Sequence, residues 1–213
     1  MRTRIKVCGI TRLEDALEAV ALGADALGFV FWPGSPRYIA PGEAAAIAAA
    51  LPPFVTRVGV FVDQPLDQVR AIAAQARLGA VQLHGDEGAA ACAAVQGPCI
   101  KAIGVGAGFD PATLRTWPAT VWPLLDVLDP ARRGGTGRVI DWALAAEAAR
   151  LRPIILAGGL GPGNVRDAVD RVRPFAVDVS SGVEREPGIK DAGRLRAFVE
   201  RVAAADAERT PCA

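Results

Sequence analysis

The sequence contains few of the residues that bind metal ions or form disulfide bridges. Among 213 residues there are one histidine and four cysteines. The cysteines form no CxxC pair and show no metal-ligand spacing. This composition argues against a zinc site, which needs several such ligands at short spacings. We expect reduced thiols and a cytoplasmic location.

Long apolar runs and an excess of one charge are also missing. No run approaches the roughly 18 residues needed to cross a bilayer. The formal net charge is +1, which gives no electrostatic reason to expect nucleic acid or an anionic membrane as a partner. Residues 1–4 lead directly into a short strand, so we expect no signal peptide. Lysine occurs only at Lys6, Lys101 and Lys190, so the position of each one in the fold is informative.

What the chain does have is a regular alternation of short β-rich runs and alanine-rich amphipathic segments. Eight cycles can be counted along the sequence. The predicted strands are 5–9, 25–31, 57–62, 80–84, 99–103, 121–126, 153–157 and 175–179. The predicted helices are 13–22, 42–51, 66–78, 87–95, 111–116, 141–150, 163–172 and 191–203.

This alternation predicts an α/β protein, a single eight-stranded parallel (β/α)8 TIM barrel near the lower size limit of that fold. Nearly continuous apolar strands such as 26–31 fit a parallel sheet covered on both faces. An open doubly wound sheet would have fewer units and a GxGxxG turn after strand one, which is absent. We predict one catalytic domain over residues 1–205 and a disordered tail over residues 206–213.

Strand one ends in Cys8, at the end of a barrel strand where this fold places reactive groups. Thr11 is a predicted N-cap of the following helix, with Glu14 as its capping-box partner. A strand cysteine is more often a packing residue than a reactive one. Its position alone leaves both roles open.

Other polar side chains follow strands two, four and six. Arg37 lies in the Pro/Gly-rich loop 32–38, Gln82 and His84 share one face of strand four, and Asp126 ends strand six. The structural alternatives are that Arg37 is a solvated loop charge, that His84 is a core imidazole and that Asp126 is a loop cap. Because all of them fall at the same end of one barrel, we predict an active site there.

Small residues end the last two strands, in two groups: Gly158-Gly159 and Ser180-Ser181-Gly182. Barrels frequently bind phosphate at these two loops through backbone N–H groups. The alternative is that the glycines only form tight turns. We predict a phosphate site.

Loop six, residues 127–140, is the longest βα loop, and it is glycine-rich and cationic. Mobile lids that exclude water have this composition. An ordinary flexible loop would share it.

The ordered motifs resemble the phosphoribosylanthranilate isomerase family from residue 5 to about residue 190. The motifs that carry the resemblance are Cys8-Gly9-Ile10-Thr11, Gly28-Phe29-Val30-Phe31, Ser35-Pro36-Arg37-Tyr38, Gly59-Val60-Phe61-Val62, Gln82-Leu83-His84-Gly85, Leu124-Leu125-Asp126, Gly134-Gly135-Thr136-Gly137, Ala157-Gly158-Gly159-Leu160 and Asp178-Val179-Ser180-Ser181-Gly182-Val183-Glu184.

The resemblance implies a cofactor-free Amadori rearrangement of a phosphosugar in tryptophan biosynthesis, with no metal ion. It implies that Asp126 is the general acid and Cys8 the general base. Arg37 then binds the anthranilate carboxylate, and the loops after strands seven and eight bind the phosphate. A monomer and a homodimer both remain open. Arg138 stands where many relatives have lysine, which leaves the details of loop six open.

Three rival interpretations remain. The related barrel isomerase of histidine biosynthesis resembles this pattern but has aspartate where this chain has Cys8, and it shows a two-fold repeat not found here. A bifunctional isomerase meets the same objection. A non-catalytic phosphate-binding barrel would leave the Cys8–Asp126 arrangement unexplained.

Strand alternation also places Lys6 on the same face as Cys8, one layer deeper. Strands one and eight become neighbours when the barrel closes, so we predict a buried pair between Lys6 and Asp178. Such a pair could tune the Cys8 thiol or serve packing alone.

Overall fold

The computed structural model describes residues 2–127 and 139–209. Eight parallel strands close into a barrel in sequential order, with β1 hydrogen-bonded to both β2 and β8. The predicted fold is therefore confirmed. The barrel strands are β1 (Arg4–Cys8), β2 (Ala26–Val30), β3 (Thr56–Phe61), β4 (Ala80–Leu83), β5 (Cys99–Val105), β6 (Val121–Val127), β7 (Ile155–Leu156) and β8 (Ala176–Val179).

Helices follow the strands and cover the outside of the barrel. The predicted helix after β5 is a 3-10 helix, Pro111–Thr116, and a second short 3-10 turn, Ser181–Val183, follows β8. The α-helices are α1 (Leu13–Ala21), α2 (Pro41–Ala49), α3 (Leu66–Gln75), α4 (Ala89–Ala94), α5 (Trp142–Leu151), α6 (Val165–Val172) and α7 (Ala192–Arg209). Among the described residues, no helix is long and apolar enough to cross a membrane.

An antiparallel hairpin is inserted between β8 and α7. It consists of β9 (Glu184–Glu186) and β10 (Ile189–Lys190). The turn between them contains Pro187-Gly188, and Gly188 has a φ of +83°, a backbone conformation that favours glycine.

The barrel interior has an apolar floor. Ala80, Leu124 and Ala176 belong to one buried cluster. Each lies two residues before a polar side chain of the same strand, namely Gln82, Asp126 and Asp178. Since side chains two apart share a face of a strand, the polar groups lie on the interior face above this floor.

The structure corrects two expectations about helix ends. Helix α7 continues to Arg209, so residues 206–209 are helical and the predicted start of the tail at residue 206 is wrong. The Asp206 carboxylate fixes this end by accepting hydrogen bonds from the Thr3 N–H (2.6 Å) and hydroxyl (2.8 Å). Residues 210–213 lie outside the described part of the chain.

The predicted Thr11 cap of α1 is also wrong. The N-cap position is Arg12, which makes no side-chain capping bond. The Thr11 hydroxyl instead donates to the Gly188 carbonyl, 177 residues away, at 2.5 Å. A long-range hydrogen bond has displaced the local one.

Candidate active site

The predicted acid and base lie at the carboxyl ends of two strands that are not neighbours. Cys8 is the last residue of β1 and is 8% exposed. Asp126 lies near the end of β6, and its side chain is 14% exposed. Because β1 pairs only with β2 and β8, the two residues belong to separate parts of the barrel mouth.

The predicted pair beneath Cys8 is confirmed. Lys6 and Asp178 are register partners on β1 and β8, and the Lys6 Nζ donates to Asp178 Oδ1 at 2.9 Å. Their side chains are 3% and 9% exposed. The ammonium of Lys6 also lies near the Cys8 thiol. The three groups form a buried cluster in which one cation is paired with Asp178 and lies near the thiol.

Gly28 on β2 makes room for this cluster. A Cβ atom there would lie 2.7 Å from the Cys8 Sγ and 3.2 Å from the Lys6 Nζ. The first distance is a clash, so any side chain at position 28 would displace the thiol. The thiol and the ammonium therefore both approach the bare backbone of β2.

Burial and charge act in opposite directions on the thiol. Burial raises the pKa of Cys8 above its ordinary value, while Lys6 and Lys190 favour the thiolate and Asp178 disfavours it. Although burial opposes its charge, the pKa of Lys6 is raised by Asp178 and Cys8. The ammonium of Lys6 therefore stays charged beside a thiol that depends on it for ionisation.

A second polar group surrounds Asp126. The Gln82 Nε2 lies 2.9 Å from the His84 Nδ1, and the His84 Nε2 lies 3.4 Å from the Asp126 Oδ2. An amide nitrogen can only donate, so Nδ1 accepts and the proton of a neutral ring is on Nε2, on the side of Asp126. The other oxygen, Oδ1, accepts from the Val127 N–H at 2.7 Å. The predicted shared face of Gln82 and His84 is confirmed.

Arg37 does not point freely into the mouth. Its Nε donates to Glu184 Oε1 (2.9 Å) and Oε2 (3.1 Å), and its Nη2 donates to Oε2 at 2.6 Å. The Lys190 Nζ donates to the same carboxylate at 2.8 Å and to the Cys8 carbonyl at 2.5 Å. Burial opposes ionisation of Glu184, but its bonds to Arg37 and Lys190 lower the pKa of this carboxyl.

Gly9 is where the Arg37 and Ser180 side chains converge. It has a φ of +75°, and a Cβ there would lie 2.6 Å from the Arg37 Cδ and 3.2 Å from the Ser180 Oγ. Thus Cys8, Arg37 and Ser180 form one group around the end of β1.

The loops after β7 and β8 pack against each other. Gly158 and Gly159 have φ values of +79° and +65°. A Cβ on Gly182 would lie 2.0 Å from the Leu160 carbonyl oxygen, so the contact requires glycine. Asn164 fixes the first loop by donating to the Gly159 carbonyl at 3.0 Å. Helix α6 begins directly after Asn164, and the Asn164 and Val165 N–H groups both donate to the Gly161 carbonyl, at 3.2 and 3.0 Å.

Within the described residues, no group of three or more histidine, cysteine, aspartate or glutamate side chains is arranged to hold a metal ion. Loop six, for which a lid and an ordinary flexible loop were both open, spans residues 127–140. Residues 128–138, which include Arg138, lie outside the described part of the chain.

Comparison with known proteins identifies the family. A family model described as N-(5'phosphoribosyl)anthranilate (PRA) isomerase matches residues 5–201. The chain belongs to this family. It is 51% identical over 203 residues to the N-(5'-phosphoribosyl)anthranilate isomerase of Geobacter metallireducens, covering 94% of this chain and 99% of that protein.

Two solved structures of phosphoribosylanthranilate isomerases are also similar. One, of mutually generated monomers of the dimeric protein of Thermotoga maritima, is 42% identical with a TM-score of 0.85. The other is a complex with reduced 1-(o-carboxyphenylamino)-1-deoxyribulose 5-phosphate, 44% identical with a TM-score of 0.83. Each comparison covers 95% of this chain and 99% of the other. The resemblance drawn from the motifs is confirmed.

The sequence did not indicate three residues that contact the predicted site residues: Glu184, Lys190 and Asn164. Glu184 ended a recognised motif and Lys190 is one of only three lysines. The Pro187-Gly188 turn between them was a usable hairpin signal.

Proposed function

We propose that this chain catalyses the Amadori rearrangement of N-(5-phosphoribosyl)anthranilate to 1-(2-carboxyphenylamino)-1-deoxyribulose 5-phosphate in tryptophan biosynthesis. The observation that carries the proposal is the separation of Cys8 and Asp126 over an apolar floor in a chain of this family. Two proton transfers at different atoms of one sugar need an acid and a base at two positions.

In the first step Asp126, in its protonated form, donates to the furanose ring oxygen. The bond between that oxygen and C1 breaks, and the nitrogen lone pair forms the C=N bond of a Schiff base. A carboxylate remains on Asp126. His84 Nε2, 3.4 Å from Oδ2, is placed to stabilise the charge that develops there.

In the second step the Cys8 thiolate removes the proton from C2 of the Schiff base. The C–H electrons form a C1–C2 double bond as the C=N electrons return to nitrogen, and tautomerisation of the resulting enolamine gives the ketone. Burial opposes the thiolate, and the positive charge of Lys6 favours it. Proton transfer from Cys8 and to Asp126, directly or through solvent, resets the enzyme.

The two anionic ends of the substrate are bound by different elements. Arg37 pairs with the anthranilate carboxylate through a charge-assisted bond. The phosphate lies against Gly158, Gly159 and the segment Ser180-Ser181-Gly182, where the glycines carry no side chain and let an anion approach the backbone. The buried Gln82 Oε1, which has no hydrogen-bond partner among the described residues, could accept from a sugar hydroxyl.

A turnover assay that follows the loss of anthranilate-type fluorescence from phosphoribosylanthranilate tests the proposal. Cys8→Ala should be nearly inactive, and Asp126→Asn should lose about 10²- to 10⁴-fold in kcat with ligand binding kept. Cys92→Ala, a buried cysteine of α4, is the matched control and should retain activity.

The same assay separates the rival interpretations. Turnover of the aminoimidazole carboxamide ribonucleotide alone would identify the histidine-pathway isomerase instead, and turnover of both substrates would identify a bifunctional isomerase. Phosphate-ligand binding without turnover of either would leave a non-catalytic barrel.

We also infer that the chain forms a homodimer through the amino-terminal face of the barrel. This face contains a cavity of about 440 Å³, lined by Trp122 and Phe175 among others, and Phe54 at its rim is 97% exposed. A face that carries both an exposed aromatic ring and an apolar cavity is self-complementary under two-fold symmetry.

Light scattering across a range of protein concentrations tests this interface. The wild-type chain should have twice the monomer mass, and Phe54→Asp should shift it to monomer. Leu17→Asp, at an exposed apolar position of α1, should leave the dimer intact. A monomeric wild-type chain would overturn the inference.

A cytoplasmic location is part of the proposal, because the base must be a free thiol. Cys8 is unpaired, as are Cys92 and Cys99, and thiols persist in reducing compartments. Fractionation of producing cells tests this location.

A further inference from the structure

The hairpin β9–β10 is anchored to the start of the barrel. The Gly188 N–H donates to Glu184 Oε1 at 3.3 Å, and its carbonyl accepts from the Thr11 hydroxyl at 2.5 Å. The Lys190 N–H donates to the Asp15 carboxylate of α1 at 3.0 Å. Glu184 and Lys190 are each 5% exposed. The hairpin therefore presents two buried charged groups at a fixed place beside the end of β1.

Glu184 determines which edge of the Arg37 guanidinium is occupied. A guanidinium has five N–H groups in one plane, and its Nε–Nη2 edge contacts Glu184. Among the described residues, Nη1 makes no hydrogen bond. The Nη1–Nη2 edge is consequently the one available for a bidentate bond to a second carboxylate.

A carboxylate on Arg37 would by itself neutralise the charge that attracts another anion. Lys190 prevents this, because its Nζ donates to Glu184 Oε1 at 2.8 Å and brings a second positive charge into the cluster. Arg37, Glu184 and Lys190 together have a formal charge of +1. The same ammonium donates to the Cys8 carbonyl at 2.5 Å, so the cluster is joined directly to the end of the strand that holds the thiol.

We propose that Glu184 and Lys190 are positioning residues for substrate carboxylate recognition. Glu184 orients the free edge of Arg37, and Lys190 keeps the cluster positive. The proposal rests on the proposed function, since it assigns the carboxylate end of that substrate to Arg37. A purely structural ion cluster is the alternative, and it predicts equal effects on all ligands.

Two ligands that differ only in the carboxylate provide the readout. They are reduced 1-(2-carboxyphenylamino)-1-deoxyribulose 5-phosphate and the same compound with a plain phenylamino group. The ratio of their dissociation constants measures carboxylate recognition, and changes in folding or phosphate binding cancel from it. For the wild-type chain we expect a ratio of about 10 to 100 in favour of the carboxylate, the range for a hydrogen bond to a charged group.

Substitutions should change this ratio according to the charge of the cluster. Lys190→Met, with a charge of zero, should lower it about tenfold. The double variant Glu184→Gln/Lys190→Met returns the charge to +1 and should recover most of the ratio. Glu184→Gln alone has a charge of +2 and keeps an amide oxygen that can accept from Arg37, so it should raise the ratio. Glu184→Ala leaves Arg37 without this orienting partner and should lower the ratio.

Lys101→Met is the matched control. Lys101 is another buried lysine, which donates to Glu87 at 3.0 Å and to the Gly85 carbonyl at 2.6 Å, and it makes no contact with the Arg37 cluster. Its removal should leave the ratio unchanged.

The outcomes separate the two proposals. In one outcome the wild-type chain discriminates between the ligands, but Lys190→Met does not lower the ratio or the double variant does not recover it. This outcome overturns the positioning role alone. If Lys190→Met does not fold, an unchanged or lower ratio in Glu184→Gln has the same consequence. A wild-type chain that neither discriminates nor turns over phosphoribosylanthranilate overturns the proposed function as well.

Discussion

Replacement of Lys6 by methionine tests how Cys8 becomes a base. The substitution keeps most of the side-chain volume and removes the ammonium that hydrogen-bonds Asp178 and lies near the Cys8 thiol. In the variant, the thiolate must form beside an uncompensated Asp178 carboxylate. We therefore expect kcat/KM to need a higher pH to reach the same value, with its basic rise displaced upward.

The size of the effect follows from the geometry around Gly28. A Cβ there would lie 2.7 Å from the thiol sulfur and 3.2 Å from the ammonium nitrogen, so these two atoms are at most about 6 Å apart. At an effective dielectric constant of about 20, unit charges at that distance interact by about 3 kcal/mol. Loss of this interaction corresponds to a fall of about 100-fold in kcat/KM at neutral pH.

The assay is the pH profile of kcat/KM, together with the pH dependence of iodoacetamide alkylation at Cys8, read by mass spectrometry. Alkylation reports the thiolate without requiring catalysis. Removal of one partner of a buried ion pair costs about 3–5 kcal/mol of stability. The double variant Lys6→Met/Asp178→Asn avoids that cost, and its basic rise should lie below that of Lys6→Met, because the opposing carboxylate charge is gone.

Cys8→Ala should be nearly inactive at every pH, which sets the baseline of the experiment. A folded Lys6→Met enzyme whose profile and alkylation curve overlay those of the wild type would refute the electrostatic role. Lys6 and Asp178 would then be a packing pair.

Further predictions concern the anion sites and the buried charges. Arg37→Ala should weaken ligands that carry the anthranilate carboxylate by about 1.5–3 kcal/mol and leave ribulose 5-phosphate little affected, as measured by calorimetry; equal losses would contradict the division of the site. Gly182→Ala should lower phosphate affinity, because its Cβ would clash with a backbone oxygen at 2.0 Å, whereas Gly163→Ala, with nothing within 4 Å, should not. Because folding lowers the pKa of Glu184, its ionised form stabilises the fold at pH values above its ordinary pKa of 4.5. This contribution is lost as the pH falls through the lower pKa of the folded state. The difference in unfolding free energy between wild type and Glu184→Gln should therefore shrink only in acid, and a pH-independent difference would contradict the assignment.

Several features followed from the sequence because they depend on local periodicity. Eight alternations of strand and helix patterns predict the barrel, since each strand must bury two faces and each helix one. Positions two apart share a strand face, which placed Gln82 with His84 and Lys6 beneath Cys8. Closure makes the first and last strands neighbours, so the Lys6–Asp178 pair could also be anticipated.

Tertiary structure alone decided the contacts that cross between loops. Arg37 and Glu184 are 147 residues apart, and Lys190 reaches the Cys8 carbonyl over 182. No periodicity reports such pairs, because they depend on the path of the inserted hairpin. The Thr11 hydroxyl donates to the same hairpin and therefore does not form the predicted cap of α1. His84 and Asp126 meet although β4 and β6 are not neighbours, because the curvature of the closed barrel brings their inward side chains together.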